Sequence, residues 1–199
     1  MVELRRVCVF CGASPGDDPQ FADVARALGH ELVARGIGLV FGGGSVGLMG
    51  VVADAVLDAG GEAIGVIPEA LDRREIAHRG LVDLRVVGSM HERKAAMASL
   101  SDSFVLLPGG FGSLDEFVEA LTWNQLGIHA KPCGIVNVGG YYDLLVAWID
   151  AAVERRFVRA EHRAALTVDG DIARVLDGLA AATVEYTAKW IDPERTVTP

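Results

Sequence analysis

The chain has 199 residues, of which 51% are apolar and 24 are glycine, so it is neither disordered nor too short for one continuous core. Its 27 acidic residues outnumber its 18 lysines and arginines, and the formal charge of −9 disfavours nucleic-acid binding because it repels phosphate backbones. No apolar stretch reaches the roughly 20 residues of a membrane helix, and the first residues lack a signal-peptide pattern. We therefore expect a cytoplasmic protein with no nucleic-acid or membrane partner.

Apolar runs alternate along the chain with segments in which apolar residues recur at helical spacing. The predicted strands cover residues 7–10, 37–41, 63–67, 81–87, 104–107, 133–138 and 165–168. The predicted helices cover residues 21–32, 48–59, 90–100, 114–126, 142–155 and 172–182. This alternation predicts an α/β fold, a doubly wound, Rossmann-like parallel sheet with helices on both faces. We expect a single domain over residues 1–190 and a frayed tail at residues 191–199.

The three cysteines are too few for a disulfide framework. Cys8 and Cys11 form a C-x-x-C pair, but they lie on a strand and its exit loop rather than at a helix N-terminus, where a redox pair would have a lowered thiol pKa. We therefore interpret them as buried structural thiols. The sequence contains no cluster of cysteine and histidine residues that would predict a metal site.

The sequence GGGSVG at positions 42–47 follows the second predicted strand and opens a helix. Glycines there let the backbone approach an anion, and the helix N-terminus supplies free N–H donors. The spacing matches the dinucleotide pattern GxGxxG, but that pattern normally follows the first strand. Glu62, at the separation of a ribose-binding acid, precedes the next strand instead of ending it. The segment is weak evidence for NAD, and a ligand contact and a tight packing turn both remain open.

The sequence PGGFGS at positions 108–113 also leaves the end of a strand and opens a helix. Three glycines and the Ser113 hydroxyl beside a helix start can form a cradle for an anion. No Gly-Lys-Ser/Thr follows, so it is not the phosphate loop of a nucleoside triphosphatase. It suits a single phosphate without a metal. Because both glycine segments leave the carboxyl ends of parallel strands, we expect them at the same rim of the sheet.

Charged residues accompany this second glycine segment. Asp115 and Glu116 lie in the first turn of the helix that it opens, and Ser113-x-x-Glu116 spells a capping box, in which Glu116 would only bond back to the helix start. Alternatively, a carboxylate beside a phosphate would contact the sugar or an attacking water. Arg93 and Lys94 open the preceding helix at the same rim, either as solvated charges or as contacts to an anion or sugar.

The sequence MHERK at positions 90–94, followed by PGGFGSLDE at 108–116, closely resembles the LONELY GUY family. These proteins are cytokinin riboside 5′-monophosphate phosphoribohydrolases, long labelled possible lysine decarboxylases. Similar segments are GGGSVGLMG at 42–50, REI at 74–76, TWNQLGIH at 122–129 and KP at 131–132, and the similarity runs over residues 7–158. The resemblance implies hydrolysis of the N-glycosidic bond of N6-substituted purine riboside 5′-monophosphates, giving free base and ribose 5-phosphate. It also implies a protein that needs no metal and no cofactor and that is usually a homodimer, sometimes a hexamer.

By this resemblance Arg93 and Glu116 match the catalytic residues. Further residues match positions that contact the substrate or its phosphate: Gly43, Gly44, Glu75, Lys94, Gly109, Gly110, Phe111, Gly112, Ser113, Leu114, Asp115 and Thr122. The chain departs from the family pattern at three places. Ser113 replaces the usual threonine and keeps its hydroxyl, Asp115 replaces a glutamate, and residues 77–80 differ, which bears on substrate preference.

Two other functions remain open at this point. A non-catalytic nucleotide carrier or sensor could share the fold, although phosphate binding alone needs neither Arg93 nor Glu116. A lysine decarboxylase would hold pyridoxal phosphate on a lysine, and none of the chain's lysines, Lys94, Lys131 and Lys189, stands out.

An apolar stripe on the fourth predicted helix could form a dimer interface. It consists of Phe117, Leu121, Trp123 and Leu126. Ordinary core packing is the better interpretation for Phe117 and Leu121, since a stripe at this spacing usually faces the protein interior.

Overall fold

A computed structural model of the chain describes residues 3–72 and 76–182. The strands are β1 (Arg6–Phe10), β2 (Gly38–Phe41), β3 (Ala63–Pro68), β4 (Asp83–Val87), β5 (Ser103–Leu106), β6 (Cys133–Val136) and β7 (Leu166–Asp169). The helices are α1 (Pro19–Ala34), α2 (Gly47–Asp58), α3 (Glu69–Asp72), α4 (Met90–Leu100), α5 (Phe111–Gln125), α6 (Asp143–Glu154), α7 (Ala160–Ala164) and α8 (Ile172–Ala181). Each predicted strand and long helix is present, with ends shifted by three residues or fewer.

The seven strands form one sheet in the order β4-β3-β2-β1-β5-β6-β7, and every neighbouring pair is parallel. Helices α1, α2 and α8 cover one face, around Leu28, Val52 and Leu176. Helices α4, α5 and α6 cover the other face, around Met97 and Phe117. The predicted doubly wound fold is confirmed. Apart from Arg6 and Ser103 at the starts of β1 and β5, the central strands are apolar, because both of their faces are buried.

The strand order places a switch point at β1. From β1 the chain first builds outward through β2, β3 and β4, and then α4 returns it to the other side of β1 as β5. Crossovers therefore leave in opposite directions on the two sides of β1, which opens a crevice at the carboxyl ends of β1 and β5. Ligands of doubly wound sheets bind in such crevices.

Helix α5 begins earlier than the periodicity predicts. Its first residue is Phe111 and its N-cap is Gly110, which makes no side-chain capping bond. Ser113 therefore lies inside the first turn, and the capping-box interpretation of Ser113 and Glu116 is wrong. The short helices α3 and α7 were not predicted because four or five residues are too few to show a helical period.

Cys8, Cys11 and Cys133 are buried free thiols, as predicted for the first two. In the described part of the chain, no helix has the length and apolar character needed to cross a membrane. The predicted tail at residues 191–199 lies outside the described residues.

Candidate active site

Three loops meet at the carboxyl ends of β1, β2 and β5. The Gly12 N–H donates to the Pro108 carbonyl at 3.0 Å, and the Leu48 N–H donates to the Gly12 carbonyl at 2.9 Å. Gly47 has φ +59°, and a Cβ there would lie 2.3 Å from the carbonyl carbon of Ala13. Only glycine fits this close approach. The backbone thus joins the loop after β1 to both glycine-rich loops.

These loops surround a cavity of about 680 Å³, which we call the main cavity. It is lined by parts of the loops at 11–17, 46–49 and 108–113, together with Phe21, Leu71, Ile76, Arg93, Glu116 and Tyr141. Its volume is typical of a site for a small organic ligand. The predicted rim of the sheet and the main cavity therefore coincide.

A buried ion pair lies in the wall of the main cavity. Arg93 of α4 donates from Nη1 to Oε1 of Glu116 on α5, and from Nε to the Val66 carbonyl at 3.0 Å. The two side chains are only 9% and 10% exposed. A Cβ on Gly42 would lie 1.9 Å from Nη2 of Arg93, so the first glycine of the 42–47 segment makes room for the guanidinium.

The environment of Glu116 acts on its proton affinity in two directions. Burial raises the pKa of Glu116 above its usual value of 4.5, and the positive charge and hydrogen bond of Arg93 partly offset that rise. An ionised carboxylate that is so little exposed to solvent interacts strongly with any positive charge that develops nearby. Such a group can stabilise a cationic transition state or orient a water molecule.

The start of α5 supplies hydrogen-bond donors to the same cavity. Gly109, Gly110, Gly112 and Ser113 line it, and a Cβ on Gly110 or Gly112 would have nothing within 4 Å. The first N–H groups of a helix have no partners within the helix, and its N-terminus carries a partial positive charge. Phe111 points away from the core and is 94% exposed. The segment therefore forms an open cradle for an anion beside Glu116.

Other predicted contact residues lie behind or beside this wall. Lys94 extends from Nζ to Asp115 Oδ2 at 3.2 Å and to Glu119 Oε2 at 3.1 Å, and so braces α4 against α5. Leu114 packs against the core. None of Lys94, Leu114 and Asp115 lines the main cavity of this chain. Their contact with substrate stays a prediction.

Gly43 and Gly44 hold a neighbouring segment in place. The His78 N–H donates to the Gly43 carbonyl at 2.8 Å, and Gly44 forms an isolated bridge with Ala77. This pairing brings Ile76 to the main cavity. The predicted contact residue Glu75 lies outside the described residues.

Thr122 lies elsewhere. Its hydroxyl donates to the Val118 carbonyl of the same helix at 2.8 Å. It lines a separate apolar groove of about 170 Å³ between α5, α6 and α7. Thr122 does not line the main cavity of one chain, so its contact with substrate stays a prediction.

Comparison with known proteins identifies the family. The family described as "Possible lysine decarboxylase" matches residues 49–179. The chain is 57% identical over 160 residues to the rice (Oryza sativa subsp. japonica) "Probable cytokinin riboside 5′-monophosphate phosphoribohydrolase LOGL9", covering 80% of this chain and 70% of that protein. It is 53% identical over 156 residues to the Arabidopsis thaliana "Cytokinin riboside 5′-monophosphate phosphoribohydrolase LOG3", covering 78% and 73%. The chain belongs to the LONELY GUY family.

The fold also occurs outside the LONELY GUY family. A solved structure of the molybdenum cofactor binding protein from the phototrophic bacterium Rippkaea orientalis superimposes with a TM-score of 0.66, covering 88% of this chain and 94% of that chain. The sequence identity is 21%, so the likeness extends to the fold alone. The function of the chain therefore depends on the residues of its site and not on the fold alone.

The lysines of this LONELY GUY chain do not suit the decarboxylase label. Lys94 is ion-paired with two carboxylates, and Lys131 donates from Nζ to the Ala98 carbonyl at 2.5 Å. Neither lines the main cavity, and Lys189 lies outside the described residues. Glu62, the residue considered for NAD, pairs with Arg6 at 2.9 Å near the amino ends of the strands, away from the cavity. Within residues 3–72 and 76–182, no cluster of three His, Cys, Asp or Glu side chains could hold a metal ion.

Sequence reasoning missed several residues of the site. Phe21, Met49 and Tyr141 line the main cavity, as does most of the loop at 11–17. The loop could have been found, because it leaves the carboxyl end of the first strand, where ligands of such sheets bind. Tyr141 also follows the carboxyl end of a strand, but only the sheet order places the end of β6 beside β5 and the main cavity.

Proposed function

We propose that the chain hydrolyses the N-glycosidic bond of purine riboside 5′-monophosphates, releasing the base and ribose 5-phosphate. The observation that carries the proposal is the buried Arg93–Glu116 pair, which shares the main cavity with the anion cradle. A binding protein needs the cradle, but it does not need a desolvated carboxylate beside it. The names of the rice and Arabidopsis relatives support the same reaction.

In this proposal the cradle and the Arg93–Glu116 pair have separate roles. The cradle at the start of α5 binds the 5′-phosphate and holds the ribose against the wall of the cavity. As the C1′–N9 bond breaks, positive charge develops on the ribose, as in the hydrolysis of sugars. Glu116 stabilises that charge and orients the water that attacks C1′. Arg93 keeps Glu116 ionised and in place and assists the departing base, which takes up a proton.

The apolar part of the cavity lining favours an apolar substituent on the base. Four apolar residues outside the phosphate cradle line the cavity, namely Val46, Met49, Leu71 and Ile76. Apolar walls gain free energy by covering apolar groups of a ligand. We therefore propose N6-prenylated AMP as the preferred substrate, with plain AMP accepted less well.

A chromatographic assay tests the reaction. The protein is incubated without added metal with isopentenyl-AMP, AMP or isopentenyladenosine, and the released base is quantified. Base from the monophosphates, with little from the nucleoside, would establish the activity and the role of the phosphate. Nucleotide binding with no base released from any of them would instead support a carrier or sensor, and the proposal would fail.

The pH dependence of kcat should report Glu116. Its ionised form is the active one, so activity is full above its pKa and falls as the pH drops through it. Because burial raises the pKa of Glu116, the acid limb should lie at higher pH than for an ordinary glutamate with its pKa of 4.5. A pH–rate profile with AMP as substrate measures this. A kcat that stays flat down to pH 4.5 would contradict the assignment.

We also propose that two copies of the chain associate through the apolar groove. Phe117 is fully buried in the core, whereas Trp148, which lines the groove, is 64% exposed, and Leu144 on the same helix is 87% exposed. Exposed apolar surface of this kind usually marks an interaction site. A two-fold dimer would cover the same patch on both copies.

A charged side chain introduced at the apolar groove should prevent the two copies from associating. Trp148→Glu is expected to convert a dimer into a monomer in sedimentation velocity, because the new carboxylate would be buried without a partner. Ala27→Glu adds the same charge to α1, on the other side of the sheet, and should leave the dimer intact. A wild-type protein that sediments as a monomer, or a Trp148→Glu variant that still dimerises, would refute this interface.

A further inference from the structure

Two adjacent tyrosines donate hydrogen bonds to the loop that forms the phosphate cradle and leads into it. The Tyr142 hydroxyl donates to the Leu107 carbonyl at 2.9 Å, and the Tyr141 hydroxyl donates to the Gly109 carbonyl at 2.9 Å. Both tyrosines follow β6, more than 30 residues after the loop that they contact. Neither hydroxyl bonds to its own segment, so each reaches across to the cradle.

The remaining carbonyls of the loop are also hydrogen-bonded. The Pro108 carbonyl accepts from Gly12 at 3.0 Å, and the Gly110 carbonyl accepts from Leu114 at 3.1 Å. All four carbonyls of residues 107–110 thus have donors, and two of these donors are tyrosine hydroxyls. An anion is repelled by carbonyl oxygens and attracted by N–H groups, so this arrangement favours phosphate.

A carbonyl whose direction is set by a hydrogen bond also sets the direction of the N–H of the next residue. The peptide unit is planar and trans, so the Gly110 N–H points opposite to the Gly109 carbonyl. The loop is rich in glycine and could adopt other orientations at little cost without that hydrogen bond. We infer that Tyr141 is a positioning residue, whose hydroxyl orients the Gly109–Gly110 peptide so that its N–H serves the phosphate. The inference rests on the proposed function, which makes the cradle a phosphate site.

The placement of the two rings supports this role. Tyr141 packs edge-on against Phe21 and against Tyr142, with ring centroids 5.4 Å and 4.8 Å apart. Tyr142 is buried, and burial raises its pKa, so its hydroxyl stays protonated and remains a donor. Tyr141 is 47% exposed and lines the main cavity, so replacing it should not threaten the core.

Binding measurements that need no turnover test the inference. In a Glu116→Gln background, calorimetry compares the Kd of AMP with that of adenosine, with and without Tyr141→Phe. We expect the Kd of AMP to rise about 5-fold, the usual effect of one hydrogen bond, and the Kd of adenosine to stay unchanged. Tyr141→Leu, which also removes the ring, should show the same selective loss for AMP. In the otherwise wild-type protein, Tyr141→Phe should raise the KM for AMP and leave kcat within about 2-fold.

Three results would overturn the inference. Tyr141→Phe could leave AMP affinity unchanged, it could weaken AMP and adenosine equally, or only Tyr141→Leu could weaken AMP. The first would show that the hydroxyl has no effect on the cradle, and the other two would point to contact of the residue with the nucleoside or to ring packing. If the wild-type protein binds AMP but releases no base, the proposed function fails while this binding test still holds.

Discussion

Glu116→Gln should lower kcat at least about 100-fold, the scale expected for a positioned acid–base group. The amide keeps the size of the side chain and can still accept a hydrogen bond from Arg93, but it has no charge to stabilise a cationic ribose. Affinity for AMP should change little, because the cradle at the start of α5 is intact. The assay is release of base from isopentenyl-AMP, with thermal unfolding as a check that the fold is retained.

Glu119→Gln is the matched control for this substitution. Glu119 lies three residues further along α5, its side chain is 28% exposed, and it does not line the main cavity. The same chemical change there should leave kcat within about 3-fold, since it removes only one of the two carboxylates around Lys94. If Glu119→Gln lost as much activity as Glu116→Gln, or if Glu116→Gln kept near-normal turnover, the catalytic assignment would be wrong.

Arg93→Ala should reduce both activity and stability. It removes the counter-charge of a buried carboxylate and the donor to the Val66 carbonyl, and breaking a buried pair in this way costs about 3 kcal/mol in the free energy of unfolding. The kcat should fall about 100-fold, because Glu116 loses the partner that holds it in place and ionised. Urea unfolding and the base-release assay measure the two effects separately.

The double variant distinguishes the ion pair from general damage. Arg93→Ala alone leaves a buried anion and Glu116→Ala alone leaves a buried cation, whereas the double variant leaves neither. It should therefore be less destabilised than the sum of the two single variants, while its activity stays as low as theirs. Destabilisation that simply adds would mean that the two side chains are not coupled. A double variant with recovered activity would refute their part in the reaction.

Local pattern was enough to predict the scaffold of this protein. Continuous apolar runs form the central strands, which are buried on both faces, and these runs alternate with helical periodicity. Because parallel strands have their carboxyl ends at one rim of the sheet, the segments at 42–47 and 108–113 could be predicted to lie together without knowledge of the sheet order. Both inferences depend on neighbours in the sequence, so the sequence alone could support them.

The partners of the site residues depended on the tertiary structure. Ser113-x-x-Glu116 spells a capping box, yet α5 begins at Phe111 and Glu116 bonds to Arg93, 23 residues earlier in the chain. Lys94 matches a substrate contact by its motif, yet it braces two helices. The sequence therefore determined which groups lie at this rim. Which of them touch was decided by packing of α4 against α5 and by the order of β1, β5 and β6, because hydrogen bonds between distant residues form only where the whole fold brings donor and acceptor together.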